Sequence, residues 1–314
     1  MPAGTQPRYM GGQAVMEGVM MRGSRSWAVA VRTPEGDIEV VTHEAPTWAE
    51  RWGKVPILRG IMGLGESMSL GFKALSWSAD RQIPEEERIS SKAMGFTMGI
   101  ALVLFTAIFI LIPAFVNKGI ADYFGVKGIW FHLLEGAIRL AIFLGYLVLI
   151  GMVKDIRRVY MYHGAEHKAI AAYENDVELT AESAQQFSTE HVRCGTNFLL
   201  TVMATTIVVY SFVGRPSLPW LIASRIILIP LIAGLAYEVI RFSAGHMRWR
   251  WVRIAMKPGL TLQRLTTREP TLDQVEVAVA SLRAVLTAEQ LAEVDARAIR
   301  PAPAPGTRPA FGTA

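Results

Sequence analysis

The sequence predicts a membrane protein that is mainly α-helical: four transmembrane helices, a small mixed α/β N-terminal region in the cytoplasm and a helical C-terminal region. Three observations carry that prediction. Hydrophobic residues make up 51% of the 314, against 19% charged, and mean hydropathy is +0.29, too apolar a balance for an ordinary soluble chain. The apolar residues gather into runs of bilayer-spanning length rather than spreading over one core. The formal charge of +5 comes from basic residues beside those runs, which fits orientation in a bilayer and contact with anionic lipid headgroups. Membrane lipids are therefore the expected partner. No RNA- or DNA-binding motif is present, so nucleic acid is not. Cys194 is the only cysteine, which excludes an intramolecular disulfide.

Residues 1–92 form the expected N-terminal region. Met1–Met10 holds prolines, glycine and polar residues rather than a basic-then-apolar leader, so the first span is expected to act as the insertion signal. Gly11–Gly23 (GGQAVMEGVMMRG) has four glycines in thirteen residues, which argues against a helix and for a turn-rich segment open to strand pairing. Residues 27–32 (WAVAVR) and 38–42 (IEVVT) flank the turn-forming TPEGD, a β-hairpin pattern. From Ile57 to Trp77, Ile57, Ile61, Leu64, Met68, Phe72 and Leu75 recur at helical spacing. This predicts an amphipathic helix lying on a neighbour or on the membrane surface. Its glycines at 60, 63, 65 and 71 each cost an isolated helix about 1 kcal/mol and suggest another backbone packed close.

The first span, 93–116, has no charged residue in 24 positions, enough for the roughly 30 Å hydrocarbon core. The second, 133–153, carries Glu135 and Arg139 as an i,i+4 pair. The third is 197–213. The fourth, 218–242, holds Arg225, Glu238 and Pro230, which is expected to kink it and free the carbonyl of Ile226. Glu238 has Arg241 as its expected partner. Lysines and arginines concentrate in 154–196 and after 242, so the positive-inside rule puts both termini and the 154–196 segment in the cytoplasm. Met247–Lys257 (MRWRWVRIAMK) resembles an interfacial anchor. The region 243–300 should be helical, with capping boxes at Thr271–Gln274 and Thr287–Gln290, and the Pro/Ala/Gly-rich tail 301–314 disordered.

The chemistry centres on His163–Lys168 (HGAEHK). In a helix, His163 and His167 stand one turn apart on one face with Glu166 beside them. This is the H-x-x-E-H arrangement: two imidazoles as metal ligands and a carboxylate as general base. With no proline after the second span, that span is expected to continue as one helix into HGAEHK, where Gly164 would admit another segment. His191 and Cys194 (HVRC) offer two further donors. Glu174, Glu182 and the distant Glu17 are also candidates for a third ligand. Cys194 favours a zinc-type divalent ion over magnesium. Three protein ligands plus water make an open, reactive site, whereas four close it as a structural one. The bland readings are histidines that merely cap or hydrogen-bond at a membrane surface, Cys194 as a small buried hydrophobe, and Glu135–Arg139 as a structural pair.

The segments GGQAVMEGVMMRG, HGAEHKAIAAYE followed by LT, HVRCGTNFL, AGLAYEVIR and PGLTLQRLTTREPTLDQVEVAVASL together resemble the YqhQ-like family over about residues 8–285. The resemblance implies a bacterial integral membrane protein of unknown function, described as a predicted metal-dependent enzyme. It points to His163, Glu166, His167, His191 and Cys194, with Glu17 as an addition. The chain departs from the family pattern at Asn197, where serine is common. The leading expectation is a metal-dependent hydrolase at the cytoplasmic membrane surface. In it His163 and His167 are ligands, His191 or Cys194 completes the site, and Glu166 is the base. A scaffold or regulatory protein with a closed metal site is the alternative. A transporter built on Glu135, Arg139, Arg225 and the Pro230 kink is a weaker one. No motif specifies a substrate, a protein partner or an oligomeric state.

Overall fold

The computed structural model describes residues 10–84, 86, 90–191, 194–214 and 217–296. The tail at 301–314 and nearly all of Met1–Met10 lie outside them.

The glycine-rich start takes up the strand pairing that its sequence left open. β1 (Gly11–Val15), β2 (Gly18–Arg22), β3 (Ser26–Arg32) and β4 (Ile38–Glu44) form an antiparallel sheet in order β1-β2-β3-β4. The β3–β4 hairpin turns through TPEGD, where Gly36 has φ of +101°. In β3, Trp27, Val29 and Val31 face one way and Ala28 and Ala30 the other, and all five are buried. Both faces are covered because helices pack on each side.

On one side lies α1 (Leu58–Asp80), whose Leu70 and Ala74 meet Val15, Met20, Trp27, Val29 and Val31. Its glycines admit side chains rather than the expected backbone. An added Cβ at Gly60 would meet Tyr237 at 2.7 Å, and one at Gly71 would meet Gln13 at 2.3 Å. On the other side, α5 (Lys154–Glu174) and α11 (Leu272–Ala284) join Val19, Met21, Ala28 and Ala30 in the largest apolar core.

The remaining helices are long and apolar. α2 (Ser91–Thr106) runs through a π-helical turn, Ala107–Leu111, into α3 (Ile112–Phe124). The helix therefore extends eight residues past the expected end at 116. Pro113 has no N–H to give the carbonyl of Phe109. Arg139 Nε donates to that oxygen instead, at 3.1 Å. α4 (Ile129–Ile150) stops at Gly151, and the chain extends at Val153 (ψ 130°) before α5 begins. The expected single helix through HGAEHK is thus two, because the apolar run ends where Lys154, Asp155, Arg157 and Arg158 begin.

α6 (Ala181–Gln185) is short. α7 (Gly195–Val213) is followed by α8 (Leu218–Ile227) and α9 (Ile229–Gly245), which bend by 44° at Leu228–Pro230. The Leu228 amide turns to the carbonyls of Ser224 and Ile226. Three helices, Lys92–Phe124, Ile129–Ile150 and Gly195–Val213, are long and apolar enough to cross a membrane, and the bent α8–α9 pair makes a fourth if it is one span. Glu238 pairs with Arg59, whose Nε lies 2.7 Å away, and accepts from the Ile57 amide; the expected Arg241 pairing gives way to this contact from α1. α10 (Arg250–Thr266) buries Val252, Met256, Leu262 and Gln263 and exposes Trp251 and Ile254. α12 (Ala288–Ala296) follows the Thr287–Gln290 cap, and α11 begins with the Thr271–Gln274 box.

Candidate metal centre

The centre is built on one turn of α5. The helical repeat puts His163 and His167 on one face, with ring centroids 4.5 Å apart. Each ring is anchored through its far nitrogen. His163 Nδ1 donates to the Thr266 carbonyl at 2.9 Å, and His167 Nδ1 donates to the Thr189 carbonyl. A carbonyl only accepts, so both Nδ1 atoms donate, which leaves each Nε2 for the side of the Cys194 sulfur. This is how metal-binding histidines are commonly oriented.

The third donor arrives from α7. Cys194 is its N-cap, and its sulfur accepts from the Thr196 amide at 3.4 Å. That places Sγ 3.3 Å from His163 Nε2. One donor atom each from His163, His167 and Cys194 lies within 4.8 Å of the others, so these three residues can hold a metal ion. They line a cavity of about 610 Å³ together with Glu166, His191, Arg22 and β1 residues Gly11–Ala14.

Burial shapes the charges. It lowers the pKa of His167, and the neighbouring His163 adds to the shift, against a hydrogen bond and charge from Cys194. Burial alone would raise the Cys194 thiol, but hydrogen bonding and charge from His167, with help from Thr196, outweigh it and leave the thiol below its ordinary value. Burial pushes the Glu166 carboxyl up to about 7, against the opposing charge of His163. It also pushes His191 down to about 4.

A family model described as "Protein of unknown function (DUF1385)" matches residues 55–288, well over half of the chain. The chain belongs to this family. The uncharacterized protein YqhQ of Bacillus subtilis (strain 168) is 32% identical over 303 residues, covering 91% of this chain and 95% of the relative. No solved structure matches. The DUF1385 segment holds α5, α7 and α10, and therefore all three donors. β1, which walls the cavity, precedes it.

The other residues predicted for the site fall in different places. His191 stands beside the cluster, its ring 5.6 Å from that of His167, with Nε2 3.4 Å from a Glu174 oxygen. Glu17 lies at the β1–β2 turn, where it pairs with Arg158 and accepts from the Tyr162 hydroxyl. It does not reach the cluster, and neither it nor Glu182 on α6 is among the grouped donors. Gly12 does reach the site: an added Cβ there would sit 2.8 Å from the Glu166 side chain. Gly164 admits the Arg268 carbonyl, 2.3 Å from its would-be Cβ.

Three positioning side chains carried no readable signal. Gln263 clamps His191, its Oε1 accepting from the His191 amide at 2.8 Å and its Nε2 donating to the His191 carbonyl at 2.7 Å. Thr266 pairs with Thr196 at 3.0 Å. Lys168 is buried, and its Nζ donates to the carbonyls of Gln185 and Phe187, each at 2.7 Å, and to Glu269 at 2.8 Å. It thereby pins the loop that leads to Thr189 and Cys194. In the sequence it showed only as the last residue of HGAEHK.

Proposed function

We propose that the chain is a metal-dependent hydrolase at the cytoplasmic face of the bacterial membrane, with zinc as its metal. The observation that carries this reading is the convergence of two Nδ1-anchored imidazoles and one thiol on the wall of a cavity that the Glu166 carboxyl also lines. Two nitrogens and a sulfur suit zinc and not magnesium. Three protein donors leave the fourth tetrahedral position for water or substrate, the arrangement of catalytic sites. A zinc ion there supplies Lewis acidity and lowers the pKa of a water towards roughly 7. His163, His167 and Cys194 hold the ion. Glu166, on the same turn of α5 and lining the same cavity, would accept the water proton and return it to the leaving group. The cavity lies within the roughly 300–1,000 Å³ usual for small-molecule sites.

The location rests on packing and parity. The sheet, α5 and α11 share one core, yet two long apolar helices separate the sheet from α5 and two more separate α5 from α11. An even number of crossings in each interval returns all three to one side, which supports four crossings with α8–α9 counted as one. Lys154, Arg157, Arg158, Arg248, Arg250 and Arg253 on that side support the cytoplasm. Trp249 and Trp251 at α10 suit the lipid headgroup layer.

Metal analysis of the detergent-purified chain tests the proposal, paired with turnover on chromogenic ester, amide and phosphoester substrates. His163→Ala should lose the metal. Glu166→Gln should keep metal and melting temperature while turnover falls about 10²–10⁴-fold. A structural metal, the reading favoured by burial of His167 and Cys194, predicts instead that metal removal lowers melting and that Glu166→Gln changes little. Metal-free wild type with His163→Ala melting unchanged overturns both.

A further inference from the structure

We infer that the free edge of β1 is the docking strand for an extended polypeptide, which it lays alongside the His163–His167–Cys194 cluster. The register dictates which backbone groups are free. Arg32 N donates to Glu17 O, and Gly23 N to Ser26 O, so Glu17, Val19, Met21 and Gly23 bond towards β3. By alternation, Gly18, Met20 and Arg22 bond towards β1, opposite Val15, Gln13 and Gly11. The N–H and C=O of Gly12 and Ala14 therefore point outward from the sheet. Among the described residues neither finds a backbone or side-chain partner.

The cavity lies along that edge. It is lined by four consecutive β1 residues, Gly11–Ala14. Consecutive strand residues face opposite sides of a sheet, so a space that touches all four borders the strand's edge rather than one of its faces. Gly11 has open space where a Cβ would be. The same cavity is lined by His163, Glu166 and His167 of α5, with Glu166 packed against Gly12. Outward donor–acceptor sets at Gly12 and Ala14, two residues and roughly 7 Å apart, match the repeat of another strand. Strand addition of this kind gives affinity through main-chain bonds. A polypeptide satisfies them whatever its side chains.

Docking needs no metal. Cleavage rests on the hydrolase reading. In it the water oxygen bonds to the substrate carbonyl carbon, the C–N bond breaks, and both water protons end on the departing nitrogen, the first carried by Glu166. The products are a carboxylate and an ammonium.

Binding to the full, chelator-stripped chain in detergent separates the two claims. The probe is a fluorescein-labelled decapeptide of alternating threonine and valine, followed by anisotropy. Saturable binding is expected, weakened at least tenfold when alternate backbone nitrogens of the peptide are methylated. Ala14→Pro should abolish it, since this change removes an outward N–H and leaves the ladder to β2 whole; unchanged melting and zinc uptake would confirm that the variant folds. Peptide addition should also slow amide exchange at Gly12 and Ala14 in the wild type. Equal binding of methylated and unmethylated peptide, or no binding, overturns the docking strand. Zinc-dependent ester hydrolysis without peptide binding overturns docking alone. Methylation-sensitive binding that never leads to cleavage after zinc is restored supports docking and overturns the hydrolase reading.

Discussion

His163 and His167 owe their aim to the atoms behind them, the carbonyls of Thr266 and Thr189. Residues that hold those carbonyls in place should therefore tune metal affinity without touching the metal. Lys168→Met removes a buried ammonium from three acceptors and frees the loop that carries Thr189. We expect metal affinity to fall about 10–100-fold, the usual effect of a lost outer partner, by competition with a chromogenic chelator. Gln263→Ala removes both bonds of the clamp on the His191 backbone, whose carbonyl keeps the Cys194 amide at 3.3 Å, and should cost about 1–3 kcal/mol, read as lowered melting. The metal-free protein should also lose stability in acid. The His191 pKa lies at about 4 when folded against 6.5 ordinarily, so the unfolded chain binds the proton first. The resulting stability, roughly 3 kcal/mol, is full above pH 6.5 and is lost as pH falls towards 4. Melting of the chelated chain across that window checks it, with His191→Gln showing a shallower loss. At this scale the spacing H-x-x-E-H was readable, because a helix repeat is a property of local sequence. Thr189 and Thr266 were not, since a backbone carbonyl leaves no mark on residue identity. Cys194 was readable as a donor, but its preference over His191 depends on the turn that caps α7.

At the level of elements, the hairpin at 27–42, the amphipathic α1 and the capped α11 and α12 followed from alternation, periodicity and cap chemistry. The break between α4 and α5 did not. No proline marks it, and only the change from an apolar run to Lys154–Arg158 coincides with the stop. The pairing of Gly11–Arg22 was legible only as a possibility beside turns, because its glycines serve close packing: Gly18 faces the Ala30 carbonyl and Gly12 faces Glu166. Gly164 is the sharpest test of how elements meet. Gly164→Ala puts a methyl 2.3 Å from the Arg268 carbonyl, a backbone atom that has no rotamer to change. The segment from Thr266 to Pro270 must then move off α5, taking the anchor of His163 with it. Both melting temperature and zinc affinity should fall. A variant that melts like the wild type and binds zinc equally well would argue against this packing.

Across the whole molecule, one buried ionic group ties the four long apolar helices together. Glu135 on α4 accepts from Arg139 at 2.8 Å and from Arg225 of α8 at 2.9 and 2.5 Å. Arg139 also caps the Phe109 carbonyl, and Arg225 lies 3.7 Å from the centroid of the Tyr210 ring on α7. The i,i+4 pair was visible in sequence. Arg225, 90 residues along the chain, was not visible as its partner, because only the fold brings it there. Two guanidiniums share one carboxylate, so Glu135→Ala leaves both uncompensated and should destabilise the bundle by about 3–5 kcal/mol. Melting in detergent reads this, and adding Arg225→Met should recover part of the loss. The His163–His167–Cys194 cluster draws on segments that precede, interrupt and follow this bundle. The most direct test of the account is zinc K-edge X-ray absorption on the purified wild-type chain. The prediction is one zinc per chain whose nearest shell holds two imidazole nitrogens, one sulfur at about 2.3 Å and one light atom from water. A chain that takes up no zinc, or whose zinc has no sulfur neighbour, would contradict it.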